Sequence, residues 1–461
     1  MNTMKLTVIG GGSVNWMRRL MRDVYLIDEI AGGEICLVDP NTEHVEAVAD
    51  MLRTFNRLRH KTYDIRVCPD QAEGLIGADF VMCTFSPGAM DAFYNDLEIP
   101  VKYGIRMPVS MTCGPSGISA ALRTAPVAYE LVEQMEALCP GAWLLNETNP
   151  MTVVTAAMNA VARRTQVLGL CHGVHALPNI LGPALGLAQP EGMNVRDYLY
   201  TWLEQQGFDY AFAGLNHFIF LVRAELNGQD MLPQIRQWSR ESLAASSGPA
   251  ADSMTAFASG HEAARIICDQ VGYIPINHDR HTIEFWPGLC NQSNGFGMRW
   301  ARKTFVHERL LHKVGQLDQI RRIAAEEEAV DWTPSGEELT MIMRSIVIKQ
   351  PVKTVVIVPN SGQVANLPQE VPVETLGIIH SDRVEPLPAG ELPGVVGSWS
   401  RLQADVARLT LQAALEGSRD KLIQALSLDP LSGLADFSQL PQLADELLLA
   451  NRAWLPRFFD N

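Results

Sequence analysis

Positive charge, aromatic side chains and paired cysteines are all scarce in this chain, and each scarcity narrows what it can be. Lys and Arg number 37 against 52 Asp and Glu over 461 residues, a net charge of −15. That balance excludes non-specific binding to nucleic acid or to an anionic membrane, while leaving room for a local basic pocket. Charged residues make up only 19% and apolar ones 47%, which excludes a disordered chain and supplies a sizeable core. The eight cysteines, Cys36, Cys68, Cys83, Cys113, Cys139, Cys171, Cys268 and Cys290, form no C-x-x-C pair. They read as reduced thiols in a cytoplasmic protein. Apolar stretches such as Met151–Ala162 carry polar residues and fall short of the roughly 18 residues a membrane helix needs. The start, Met-Asn-Thr-Met-Lys, has no apolar signal core. No repeat or low-complexity tract is present.

What is present is alternation. The apolar run Leu6–Ile9 meets Gly10-Gly11-Gly12-Ser13, and a helical pattern follows over Trp16–Ile27. Glu34–Asp39 is a second strand, Thr42–His60 a helix, and Asp64–Val67 and Ala78–Thr84 are strands. Ser86–Gly117 reads as a Pro- and Gly-punctuated loop and Ile118–Leu138 as a long helix. Ala142–Asn146, Met151–Arg164 and Gln166–Leu170 continue as strand, helix, strand. Such alternation predicts a parallel sheet with right-handed crossovers. The expected fold is α/β: a Rossmann-like doubly wound domain over 1–190, and a C-terminal α+β domain over 191–461 that completes the site. In the second part, Tyr210–Leu215 and Ile219–Leu226 alternate as antiparallel strands around Asn216-His217. Thr354–Val358 is a strand, Val371–Pro393 short strands and loops, and Ser398–Leu426 and Leu440–Trp454 amphipathic helices. Lys313–Glu328 reads as a solvated helix face, and Trp143 and Trp202 as core.

A glycine-rich turn between a first strand and a helix is a phosphate cradle, because glycine lets the backbone approach a pyrophosphate at a helix N-terminus. Gly10, Gly12 and Ser13 meet that need, although Asn15 stands where a third glycine would complete G-x-G-x-x-G. Asp39 ends the second strand, where an acid bonds ribose hydroxyls and favours NAD over NADP. The competing interpretation is a plain tight turn with a solvated aspartate.

Four polar clusters fall where predicted strands stop: Asn149, Cys171-His172, Asn216-His217 and Asp279-Arg280-His281. The carboxyl ends of strands form the ligand crevice in open α/β sheets. A thiolate and an imidazole, Cys171 and His217, suit a divalent ion that keeps positions open for substrate oxygens. By spacing alone, a buried cysteine and a satisfied histidine remain the alternative.

Several segments together carry a resemblance. They are Ile9–Ser13, Leu97–Gly104, Thr112–Gly117, Asn149-Pro150, Cys171-His172-Gly173, Gly214–His217, Val358–Gly362 and Leu428–Leu431. With these the chain resembles glycoside hydrolase family 4, the NAD- and metal-dependent glycosidases. The resemblance implies oxidation of the sugar at C3 with NAD as hydride acceptor and loss of the C2 proton to a base. Elimination at C1, addition of water and return of the hydride follow. It implies a divalent ion, usually Mn2+, held by Cys171 and His217. Asn149 and His172 match residues at the sugar hydroxyls and redox centre, with Asn149 also at the cofactor and Asn216 and His281 at the substrate. Two positions depart. Members commonly place a carboxylate, the leaving-group acid, just before the Thr-x-Gly-Pro segment, where this chain has Met111. The C2 base is a tyrosine in members, and Tyr273 is the nearest by region.

Cys-His-Gly resembles the uronide-cleaving branch, so the expected substrate is a carbohydrate, an α-galacturonide or α-glucuronide. Arg280 is the candidate for its C6 carboxylate, since a guanidinium binds one through two parallel hydrogen bonds. The alternative is a surface arginine paired with Asp279 or Glu284. Phe285 and Trp286 are candidates for stacking on a sugar face or for core packing. Other functions kept open are a neutral α-galactosidase or α-glucosidase, a 2-hydroxy-acid NAD dehydrogenase and a non-catalytic sugar-binding descendant. Family resemblance implies a homodimer or homotetramer.

Overall fold

The computed structural model describes residues 2–245, 261–298, 300 and 306–460. Six short runs of Val, Ile, Leu and Cys become the parallel half of one sheet: β1 (Asn2–Ile9), β2 (Ile30–Val38), β3 (Thr62–Val67), β4 (Phe80–Cys83), β5 (Trp143–Asn146) and β6 (Gln166–Gly169). Their order is β3-β2-β1-β4-β5-β6, the doubly wound order with its switch point between β1 and β4. The helices between them are α1 (Met17–Tyr25), α2 (Thr42–Arg59), α3 (Ala89–Glu98), α4 (Gly114–Leu138) and α5 (Met151–Asn159). Local chemistry sets their ends. The Asn41 side chain accepts from His44 N to start α2, and His60 closes it at φ 51.

The second half of the chain extends the same sheet. β7 (Phe208–Leu215), β8 (Phe218–Leu226), β9 (Gln229–Asp230), β10 (Val352–Pro359), β11 (Pro372–Ile379) and β12 (Val384–Pro386) continue it as β6-β10-β11-β7-β8-β9, with β12 on β11. All these pairings are antiparallel, and the junction is the bridge Ile357↔Gly169 between β10 and β6. The boundary expected near residue 190 therefore does not interrupt the sheet. Around it lie α6 (Pro178–Leu185), α7 (Leu232–Ala245), α8 (Glu262–Val271), α9 (Val306–Ala324), α10 (Leu339–Ile348), α11 (Gly394–Glu416), α12 (Arg419–Leu428) and α13 (Leu440–Ala450). One core joins α4, α5, α11, α12 and α13; a second joins α1, α2, α9 and α10 to the parallel strands; a third lies against β7 and β8. Among the described residues no helix is long and apolar enough to cross a membrane.

Four local expectations need correction. Ser86–Gly117 is not a loop: it contains α3 and the turn Pro100–Tyr103. Tertiary contacts secure α3, whose buried Asp96 takes a 2.6 Å ion pair from Arg123 of α4. Met151–Arg164 stops being helical at Asn159. The segment Ser398–Leu426 is two helices broken at Gly417, where φ is 64 and an added Cβ would meet Arg457 O. The helix within Lys313–Glu328 is not simply solvated: Leu317, Ile320 and Ile323 of α9 are buried in the core shared with α2. Trp143 is buried as expected, while Trp202 packs half-buried on Tyr198.

Candidate functional site

The site collects at the carboxyl ends of β1, β2, β5 and β6 and at the β7–β8 turn. After β1, Gly10 takes φ 91, and an added Cβ there would lie 2.6 Å from Thr84 O. A Cβ on Gly12 would lie 2.8 Å from Asp39 Cγ. Gly12 N instead donates to Asp39 Oδ2 at 2.9 Å, and Asn41 N donates to Asp39 Oδ1 at 2.8 Å. The glycine turn is thus tied to the acid at the end of β2. The following helix has no side-chain cap at Trp16 and no acid in its first turn, so its positive end favours an anion. Ser13 lies in this turn, where its N–H donates to Gly10 O.

Leu215 and Phe218 are paired in register, so Asn216-His217 is a two-residue hairpin loop. His217 is held at φ 66, a conformation costly for a residue with a Cβ. The Nδ1 of its ring shares a 2.5 Å hydrogen bond with Thr112 Oγ1, and its face stacks on His281 at 4.1 Å and 16°. Burial, and then the positive charge of His172, Arg280 and His278, pushes His217 down to about 3. The ring is therefore neutral at pH 7 with Nδ1 engaged, leaving Nε2 as the second ring nitrogen. His281 is also held well below its usual range, by burial and by His217.

Asn216 links the hairpin to Cys171. Its side chain hydrogen-bonds the Cys171 sulfur and donates from Nδ2 to Glu374 Oε2 at 3.1 Å. Burial pushes the Cys171 thiol well above its usual value, and Glu374 and Glu147 push it further, against the Gly173 N–H and Asn216. Among the described residues nothing bonds the buried Asn216 Oδ1 or Glu374 Oε1. The neighbouring His172 gives Nδ1 to Glu337 Oε2 at 3.1 Å, and His175 gives Nε2 to Glu338 Oε1 at 2.9 Å. Burial works against charge on His172, but the Glu337 contact outweighs it and raises its pKa. Glu147, after β5, is driven far above the carboxylate range by burial and then by Glu337 and Glu338. Asn149 lies half-buried in the same β5 end segment, its Oδ1 accepting from Met151 N at 3.3 Å.

Arg280 is half-buried, with the charge of Glu284, one of the two partners named in the alternative, beside it. Asp279 is fully buried and accepts from Ala263 N and Ala264 N at the start of α8. Burial lifts Glu284 to about 7 although Val109 N and Ser110 N donate to it. Tyr273 is not brought to this cluster. It lines a separate surface groove with Asp230, Arg236 and Arg240, between α7 and α8. Phe285 and Trp286 are turned inward: Phe285 packs on Phe218 and Trp286 stacks on Trp399 at 5.0 Å.

Sequence reasoning missed Thr112, Glu147, Glu337, Glu338, Glu374 and Arg309. Thr112 lay inside a quoted motif, but its partner is 105 residues away. Ser335-Gly336-Glu337-Glu338 offered only an acidic pair before a helix.

Known families match most of the chain. The Family 4 glycosyl hydrolase model matches residues 5–187, and that of the Family 4 glycosyl hydrolase C-terminal domain matches 212–432. The chain belongs to family 4 of the glycosyl hydrolases. This family 4 glycosyl hydrolase is 29% identical to the alpha-galacturonidase of Bacillus subtilis (strain 168) over 457 residues, 97% of each chain. It is 26% identical to the alpha-galactosidase of the same strain over 461 residues, 98% of this chain and 99% of that one. The crystal structure of a 6-phospho-alpha-glucosidase from gut microorganisms, in complex with NAD and Mn2+, matches with a TM-score of 0.79 at 19% identity over 99% of each chain. That likeness shows the shared fold. Family membership removes the 2-hydroxy-acid dehydrogenase alternative.

Proposed function

We propose that this glycosyl hydrolase cleaves an α-glycoside of a uronic acid, a galacturonide or glucuronide, with NAD and a divalent metal such as Mn2+. The single observation that carries the substrate class is Arg280, half-buried next to His281, whose ring stacks on His217. A fixed positive charge at that place suits a sugar carboxylate in a protein whose net charge is −15.

The residues fit both groups. Gly10 and Gly12 let the turn pack against Thr84 O and Asp39 where a Cβ would clash, the α1 N-terminus carries no side-chain cap, and Asp39 at the end of β2 would take the ribose hydroxyls. Cys171 and neutral His217 offer a soft and a borderline donor, beside Asn216 Oδ1, which nothing among the described residues bonds. Among the described residues no set of three or more His, Cys, Asp or Glu could hold an ion; an ion held by Cys171 and His217 would take further ligands from substrate oxygens and water. When bound, NAD supplies a hydride acceptor at the sugar C3, and the ion supplies Lewis acidity at the C2 and C3 oxygens. Thr112 fixes the His217 tautomer, and Asn149 and Asn216 orient sugar hydroxyls. His172, kept basic by Glu337 at Nδ1, carries a proton at Nε2 toward the leaving oxygen in place of the acid that Met111 cannot supply.

The test is nitrophenol release from aryl α-galacturonide, glucuronide, galactoside and glucoside, with NAD, Mn2+ and a reductant present and with each omitted. Uronide cleavage that needs all three without net NADH is the expected result. Preferential cleavage of the galactoside would replace the uronide with a neutral sugar, the second reading, which the alpha-galactosidase relative favours.

A further inference from the structure

Arg309 lies on α9. Its Nη2 is 4.0 Å from Met111 Sδ, and its guanidinium lies 4.5 Å from the centroid of the Phe93 ring. It is half-buried, and among the described residues no carboxylate pairs with it. The charges that bear on it, those of Arg280 and Lys313, are of the same sign. Arg280 has the Glu284 charge beside it, so the net positive charge at this end of the cleft rests on Arg309, where a further anion would be favoured.

Chain neighbours of Met111, beside Arg309, and of Arg280 meet the Cys171–Asn216–His217 group. Met111 precedes Thr112, whose hydroxyl meets His217 Nδ1. The His217 ring stacks on His281, which follows Arg280. One turn along α9, Lys313 interacts with both Arg309 and Asp39, so this face of the helix runs from the sugar end of the cleft to the ribose end.

We propose that Arg309 is a second substrate-binding arginine, which with Arg280 brackets the C6 carboxylate, and that uncharged Met111 leaves Arg309 available for it. A carboxylate at position 111 would lie within ion-pair reach of Arg309 and cancel its charge. The inference rests on the uronide reading above.

The experiment measures kcat and KM of the NAD- and Mn2+-loaded enzyme on aryl α-galacturonide, α-glucuronide and α-galactoside, and inhibition by free galacturonate and galactose. Wild type is compared with Arg309→Gln, Arg309→Lys and Met111→Glu. Arg309→Gln and Met111→Glu should each lower uronide kcat/KM by about 100-fold, mainly through KM, and that of the galactoside by less than about fivefold. Arg309→Lys should fall between, because lysine keeps the charge and loses the fork. Galacturonate inhibition should weaken in parallel, with galactose inhibition changing less. Equal losses on charged and neutral substrates, in variants that still bind NAD, would overturn the assignment of Arg309 and leave the uronide reading standing. A wild type that prefers the galactoside would overturn that reading and this one with it. If Arg309→Gln does not fold, Met111→Glu decides between the same outcomes.

Discussion

The imidazole of His217 is held where two costs meet, a left-handed backbone at φ 66 and burial that forbids its charge. Both are sustained by the Thr112 hydroxyl on Nδ1 and the His281 ring on its face. Second contacts of this kind typically tune metal affinity by 10- to 100-fold. Thr112→Val should therefore weaken the Mn2+ dependence of activity by about that factor, read from a metal titration; an unchanged midpoint would remove Thr112 from the metal's support. Glu284 gives a pH prediction. Burial raises it to about 7 in the folded protein, above its unfolded value. The folded state therefore holds the proton more tightly, and stability from this group is full at low pH and lost as pH rises toward 7. Glu284→Gln, which keeps an acceptor for Val109 N and Ser110 N, should gain roughly 2 to 3 kcal/mol relative to wild type between pH 5 and pH 8. Unfolding curves at the two pH values check this, and a constant difference would contradict it. Residue types at strand ends were legible in the sequence: Asn216 meets Cys171 and His217 stacks on His281, although Asp279–Thr282 is a short helix and not the strand end expected. Their partners were not, because Glu337 and Glu374 come from segments more than 100 residues away that only folding places nearby.

At the scale of elements, the β1–α1 turn shows why a glycine pattern was readable although its third glycine is absent. Gly10 is required by its φ of 91 and its approach to Thr84 O, and Gly12 by its approach to Asp39. Asn15 has no such backbone constraint at positive φ. Gly12→Ala would drive a Cβ to 2.8 Å from Asp39 Cγ and break the 2.9 Å bond from Gly12 N. It should weaken NAD affinity by about tenfold or more, at least about 1.4 kcal/mol, in a fluorescence titration with NAD. Undiminished affinity would mean that the turn does not approach the cofactor. The parallel half of the sheet was legible because buried strands read as uninterrupted apolar runs. α3 was hidden in Ser86–Gly117, since Pro87, Gly88 and Pro100 punctuate the segment. Its support comes from outside, through Asp96 with Arg123 and Asn451.

At the scale of the whole molecule, one sheet crosses the expected domain boundary because β10 joins β6 at Gly169, next to the cysteine loop. That junction sets the antiparallel strands, and with them the His217 hairpin, beside the parallel ones, and no local signal in the sequence announces it. Charge poses the other question at this scale. The chain carries −15, while the proposed carboxylate site holds Arg280 and Arg309. A uronide is thus repelled at long range and attracted in the cleft. Screening acts first on charges farther apart than a Debye length, about 10 Å at 0.1 M salt, and least on partly buried contacts. Raising the salt from about 10 to 150 mM should therefore weaken the repulsion more than the binding. The expected result is a KM for the galacturonide that falls by roughly twofold over that range, while the KM for the neutral galactoside stays flat. Initial rates at fixed NAD and Mn2+ decide it. A galacturonide KM that rises steadily with salt would show that the arginines, and not the acidic surface, govern the approach of the substrate.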